Sequence, residues 1–204
     1  MLTITTAATD TTLLTISELR SAAGVSDAGQ DDTLQAIGNR VASTIARLCL
    51  VRDVPPAPPT LREETLTQVF RRYEGEEALT LARRPATSIT SVVVDDLTLE
   101  TTDYELDIAS GLLYRLSDDY RTLWTGSKAT IVFVAGWSIV PHDLKLAASK
   151  MVADIYATAS RDPNLKRTRI EGVGEWEYWV SPSSDPLASQ EVMELLIPYM
   201  NWRL

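Results

Sequence analysis

Histidine and cysteine are almost missing from this 204-residue chain, which has one of each, His142 and Cys49. A single histidine removes every metal site that needs a histidine pair, including the zinc helix motif HExxH. A single cysteine excludes an internal disulfide and fits a reducing compartment. Cys49 stands between Leu48 and Leu50 and reads as a buried, inert thiol. His142 falls at a helix start and reads as a solvated first-turn residue. The glycine-rich phosphate motifs are absent too, since Gly172-Val173-Gly174 is too short to count as one, and there is no GxSxG elbow. No apolar run approaches the ~18 residues of a membrane span. The opening MLTITTAATDTTLLT has no basic stretch ahead of an apolar core, so no secretory leader is expected. Basic residues are in the minority, 19 against 28 acidic, for a formal charge of −9. A protein that grips phosphates needs the opposite balance. Lys166, Arg167 and Arg169 form a locally basic stretch, read as a solvated loop or a rim that meets an acidic partner.

What remains is an ordinary globular composition, 45% hydrophobic and 23% charged, long enough for one domain or one domain with an inserted subdomain. Residues 1–14 are threonine-rich and unpatterned, so a loose arm is expected. Thr15 with Glu18 matches a capping box and predicts a short helix over 16–23 that stops at Gly24. Asp31 and Asp32 open a second helix over 31–50, in which Leu34, Ile37, Val41, Ile45 and Leu48 recur at helical spacing. Pro55, Pro56, Pro58 and Pro59 cannot continue it. From Leu61 onward the period changes to two. Residues 65–70 suggest an edge strand, and 78–81, 89–94, 104–107 and 112–115 further strands joined by short turns. Short turns between consecutive strands imply an antiparallel meander, against a nucleotide-binding α/β fold.

The stretch 129–162 organises the rest. Residues 129–135 are apolar and β-branched and suit a strand covered on both faces. Gly136 ends it, a polar loop with Trp124 precedes it, and Pro141 fits the first position of a helix over 141–160. Leu144, Ala148, Met151, Ile155 and Ala159 give that helix one apolar stripe. Beyond Gly174, the run 175–180 alternates as a strand, and a last helix over 185–199 starts at Asp185-Pro186 and is broken by Pro198. The fold class is therefore α+β: a small helical bundle (16–23, 31–50, 141–160, 185–199) with an inserted antiparallel β subdomain. In segments, 1–59 is an N-terminal helical part, 60–136 the β subdomain, 137–180 the long helix with its aromatic segment, and 181–204 a C-terminal arm.

Paired carboxylates at Asp31/Asp32, Asp95/Asp96 and Asp118/Asp119 fall in caps and turns, where aspartate serves the backbone. Asp103, Glu105 and Asp107 share a strand face that reads as solvated. Trp176, Tyr178, Trp179 and Trp202 have little apolar company of their own and are candidates for contact with another chain, or for folding back onto the main helices.

Read together, the order and spacing of certain residues resemble the tailed-phage head-tail connector (adaptor) family, also found in phage-like gene transfer agents. They are Arg83-Arg84-Pro85 before Ile89-Thr90-Ser91-Val92, Asp103-Tyr104 with Asp107, Gly111-Leu112-Leu113-Tyr114, and Trp124. Ala135-Gly136-Trp137, Pro141 with Leu144 and Ala147, Tyr156, Arg161-Asp162 and Gly172-Val173-Gly174 continue the series. Trp137 stands where a smaller aromatic is commoner, and Asp95-Asp96 lacks the usual glycine. The resemblance implies a structural protein of the virion neck, made in the host cytoplasm, with no enzymatic activity, cofactor, metal or membrane. Such proteins form a ring, usually twelve-fold, under the portal, extend the DNA channel, and let DNA pass without sequence-specific binding. The partners implied are the portal protein, neighbouring copies of the chain, and a downstream neck or tail protein. Ring contacts are expected from helices 31–50 and 141–160, with Lys150, Ala153, Ala157, Trp176, Tyr178 and Trp179 at the subunit interface. Portal docking is expected from Leu195, Leu196, Ile197, Tyr199 and Trp202. The rival readings are another neck or tail-completion protein, and a carboxylate- or metal-dependent hydrolase.

Overall fold

The computed structural model describes residues 1–71, 73–159, 167–170, 174–177 and 189–201, with 167–170 and 174–177 described by their backbone. It confirms an α+β architecture of helices and antiparallel sheets, and the chain divides into two compact units. One, the β unit, comprises Met1–Thr11, Ala46–Val140 and Met200–Leu204; the other, the helical unit, comprises Thr12–Ile45 and Pro141–Tyr199. The segment 1–59, expected as one helical part, is thus shared between the two.

The β unit contains β1 (Leu2–Thr6), β2 (Glu64–Arg71), β3 (Ala78–Thr80), β4 (Ala86–Val94), β5 (Leu97–Thr98), β6 (Tyr104–Asp107), β7 (Leu112–Ser117), β8 (Tyr120–Thr122) and β9 (Lys128–Ala135). One sheet runs β1-β2-β9-β4-β5; a second runs β3-β7-β6 with β8 also on β7. The pairings between these strands are antiparallel, but only β4–β5, β6–β7 and β7–β8 are the short-turn hairpins expected; the meander is corrected by β9, which returns to lie between β2 and β4. The loose arm expected at the N-terminus is instead partly β1. Leu2 and Ile4 alternate with threonines, the N-terminal ammonium donates to Val69 O at 2.8 Å, and Thr3 Oγ1 donates to Thr67 O at 3.3 Å. In consequence β2 is not an edge strand, because β1 and β9 flank it.

The strand over 129–135 also differs from expectation. Ala129, Ile131, Phe133 and Ala135 are buried, while Thr130, Val132 and Val134 are half-buried, so one face of β9 meets the core. Its β-branched residues on the other face gave the run its uniformly apolar look. Gly136 follows with φ +103, and a Cβ there would sit 2.3 Å from Arg62 O, so only glycine fits this close approach. Trp124 lies in the loop between β8 and β9, as expected, but its side chain belongs to the core. It is fully buried, its indole N–H donates to Leu113 O at 3.0 Å, and its ring meets Tyr73 edge-to-face at 6.3 Å.

In the helical unit, α1 (Ile16–Ala23) carries the expected capping box, and Gly24 ends it in the left-handed conformation. α2 (Asp31–Leu48) has Gly38 in mid-helix because a Cβ there would lie 3.0 Å from a Leu19 methyl. α3 (His142–Ala159) begins one residue later than expected, with Pro141 O accepting the first helical hydrogen bond from Lys145 N at 3.0 Å. It packs against α1 and α4 (Gln190–Leu196). β10 (Arg167–Ile170) and β11 (Gly174–Glu177) pair as a hairpin. α4 is capped by Ser189 and ends in a single 3₁₀ turn, Ile197–Tyr199, where Pro198 was expected to break it. The proposed cap at Asp185-Pro186 lies outside the described residues.

Candidate assembly surfaces

No group of three histidine, cysteine or carboxylate side chains among the described residues is placed to hold a metal ion, and no helix among them is long and apolar enough to cross a membrane. Burial pushes the Cys49 thiol up to about 12, consistent with an inert side chain. The strand carboxylates have local partners: Asp103 pairs with Arg115 at 3.7 Å and Glu105 with Arg121 at 2.8 Å. Asp107 caps the β6–β7 turn, and the Ser110 hydroxyl and backbone N–H hold its carboxyl below the usual range.

The predicted interface residues separate into different environments. On α3, Lys150 reaches Glu191 of α4 at 2.8 Å, Ala153 is half-buried and Ala157 is exposed. Exposed Leu146, which the helical periodicity did not single out, shares their face at a spacing of four, three and four residues. The opposite face, Leu144, Ala147, Ala148, Met151 and Val152, is buried. Of the docking candidates, Leu196 is fully buried and so serves the core, while Ile197 is 53% exposed. Leu195 and Tyr199 are half-buried. Trp176 lies on β11 opposite Thr168, described by backbone only; Tyr178, Trp179 and Trp202 lie outside the described residues.

Two further features escaped the sequence reading. First, Asn201 clasps the β unit: its backbone N–H and side-chain amide donate to Cys49 O at 2.8 and 3.3 Å, and its Oδ1 accepts from Arg84 N at 3.0 Å. Second, a cleft of about 830 Å³ opens beside it, lined among others by Arg47, Leu50, Arg52, Asp53 and Arg84. These arginines are scattered in sequence, and only the turn after α2 and the loop before β4 bring them together. At the cleft, Leu50 N donates to Arg47 O and Val51 N to Ala46 O, the hydrogen-bond pattern of a Schellman stop. The position that usually takes glycine there is held by Leu50, with φ +57.

No family model matches this sequence, and no curated protein does. The fold does have counterparts among solved structures. A chain from the neck of an empty gene transfer agent particle, computed with C6 symmetry, aligns with TM-score 0.60 at 20% identity, covering 100% of this chain and 97% of that one. A chain from the neck of the native particle, computed with C12 symmetry, aligns with TM-score 0.56 at the same identity and coverage. A chain from the virion of the native particle aligns with TM-score 0.59, again at 20% identity. At this identity the likeness is one of fold.

Proposed function

We propose that this chain is a structural neck component of a tailed phage or phage-like particle, a head-tail connector that forms a ring under the portal and extends the DNA channel. One observation carries the reading: the fold aligns end to end, over 100% of this chain, with a chain of a particle neck. The head-tail connector resemblance, drawn from residues spread over 83–178, points to the same place. The C6 and C12 symmetries belong to those neck structures, and a ring of this chain is proposed by analogy with them. A net charge of −9 suits a channel wall past which DNA slides without being held.

Within the ring, the exposed face of α3 with Leu146, Ala153 and Ala157 is proposed to face a neighbouring copy, and Ile197 and Tyr199 to meet the portal. Removing residues 185–204 wholesale is a poor test, because Val192 and Leu196 are core residues and Asn201 ties the β unit together. Ile197→Glu leaves those contacts in place. Co-purification with the portal protein, followed by electron microscopy, is expected to show a ring at the portal's tail-side end for the parent chain and loss of that ring for I197E. A parent chain that never joins a portal or a neck would remove the connector reading; an I197E ring that forms normally would remove only the docking role.

A further inference from the structure

The arginine-lined cleft has no part in the contacts above, and its chemistry asks for an anion. Three arginines and one aspartate line it, a cationic surplus in a chain whose balance is strongly acidic. Arg47 and Arg52 are exposed, and neither has a salt-bridge partner among the described residues. Arg84 is held in place by its backbone bond to Asn201 and a 3.5 Å bond from its Nη1 to Ser110 O. Leu50, 51% exposed, stands in the cleft with a left-handed backbone, which crowds the Cβ of an L-residue against its own carbonyl. Glycine would relieve that strain, so an apolar side chain displayed there points to a contact.

The molecule also carries a matching element. Two hairpins turn through aspartate pairs in left-handed conformation: Asp95-Asp96 between β4 and β5, and Asp118-Asp119 between β7 and β8. The first is consumed by the fold. Asp95 accepts from Ser127 N, Ser127 Oγ and Lys128 N at 2.8–3.2 Å, and these bonds hold its carboxyl below the usual range. The second is not. Asp118 and Asp119 are exposed and have no ion pair among the described residues, and Tyr120 beside them is 76% exposed.

A tip of two carboxylates and a tyrosine complements a cleft of arginines and a leucine. The two cannot meet within one copy. Leu112 pairs with Thr80 at the cleft wall, and the six residues of β7 from there to Asp118 span ~20 Å. We propose that the Asp118-Asp119 tip of one copy enters the Arg47/Arg52/Arg84 cleft of the next. This head-to-tail contact joins two different surfaces and closes into a ring when the rotation allows. The inference rests on the ring-forming reading and names the lock between its subunits.

Cross-linking tests it on the assembled neck. The double variant Arg52→Cys/Asp119→Cys, oxidised after assembly with the portal, is expected to give a ladder of disulfide-linked multimers, and neither single variant should. A disulfide requires Cα atoms within ~7 Å, so a linked pair must come from two copies; buried Cys49 stays silent. Charge reversal is the second arm. R47E/R52E and D118K/D119K are each expected to lower ring yield at least tenfold with unchanged melting. Mixing the two proteins restores rings, because every Glu cleft then finds a Lys tip and every Arg cleft an Asp tip. Rings by microscopy without a ladder overturn the lock and leave the connector reading standing; the absence of any ring from the parent chain removes both. Loss of rings from the cleft variant alone, unrescued by mixing, also overturns it and assigns the cleft to another anion such as DNA phosphate.

Discussion

Both units carry ion pairs at the surface, but among the described residues only the β unit buries one. In the β unit, Arg83 and Glu64 form an ion pair whose side chains are each 2% exposed, with Arg83 Nη2 also donating to Arg52 O at 3.2 Å and Arg83 Nε left without a partner among the described residues. In the helical unit, Arg20–Asp31, Lys145–Glu18 and Lys150–Glu191 lie at the surface, each at least 30% exposed. A buried pair is weak evidence for net stability but is costly to break from one side, whereas a surface pair contributes ~0–1 kcal/mol. The β unit thus adds an interior pair to its surface ones, while the helical unit relies on caps, an apolar stripe and surface pairs alone among the described residues.

That contrast can be broken at graded points. Trp124→Ala should cost the most, ~3–5 kcal/mol, since it empties a fully buried site and leaves Leu113 O without its donor; chemical denaturation reads it. Arg83→Met should cost a similar ~3–5 kcal/mol by stranding Glu64, and Arg83→Met/Glu64→Gln should recover a large part of it. A double variant no better than the single would mean that shape, not charge, governs this site. On the helical side, Thr15→Ala should lose only ~1 kcal/mol, because it removes one half of the α1 capping box.

The smallest effect is a pH dependence. Lys145, followed by the Thr15 backbone N–H, holds the Glu18 carboxyl below its ordinary 4.5. A carboxyl lowered in the folded state contributes stability above its unfolded pKa and loses it as pH falls through the folded one. Melting temperature should therefore decline from about pH 5 downward, and less steeply in Glu18→Gln. Equal slopes for the two proteins would show that the pair contributes nothing. Asp95 and Asp107 are lowered too and set the background slope in both proteins.

Much of the helical unit was legible because its signals are local. A Thr-x-x-Glu box, a glycine stop and apolar residues at three- and four-residue spacing act within one turn of chain. The β unit was legible as a set of strands but not as sheets. β1 was missed because Leu2 and Ile4 among threonines mean little until β2 lies beside them, and β8 because Tyr120–Thr122 has no buried face to pattern. The burial of loop residue Trp124 has no local signal, since its partners Tyr73 and Leu113 are far off in sequence. The α3 interface candidates lie on a face that is in part exposed, whereas the side chain of Leu196, a docking candidate by its sequence position, belongs to the core.

By itself, the sequence determined the α+β class, the caps and stops of the helices, the short antiparallel hairpins, and the poverty of histidine and cysteine that leaves little material for metal or thiol chemistry; the meander expected of the strands is replaced in the main sheet by the order β1-β2-β9-β4-β5. Those properties depend on residue type and short spacing, which a chain carries before it folds. Only the tertiary structure decided that Arg83 would face Glu64 in the interior, that Asn201 would clasp residues 49 and 84, and that Arg47, Arg52 and Arg84 would share one cleft. Each of these depends on strand order and loop path, which bring together side chains from distant parts of the chain, and no local pattern encodes that.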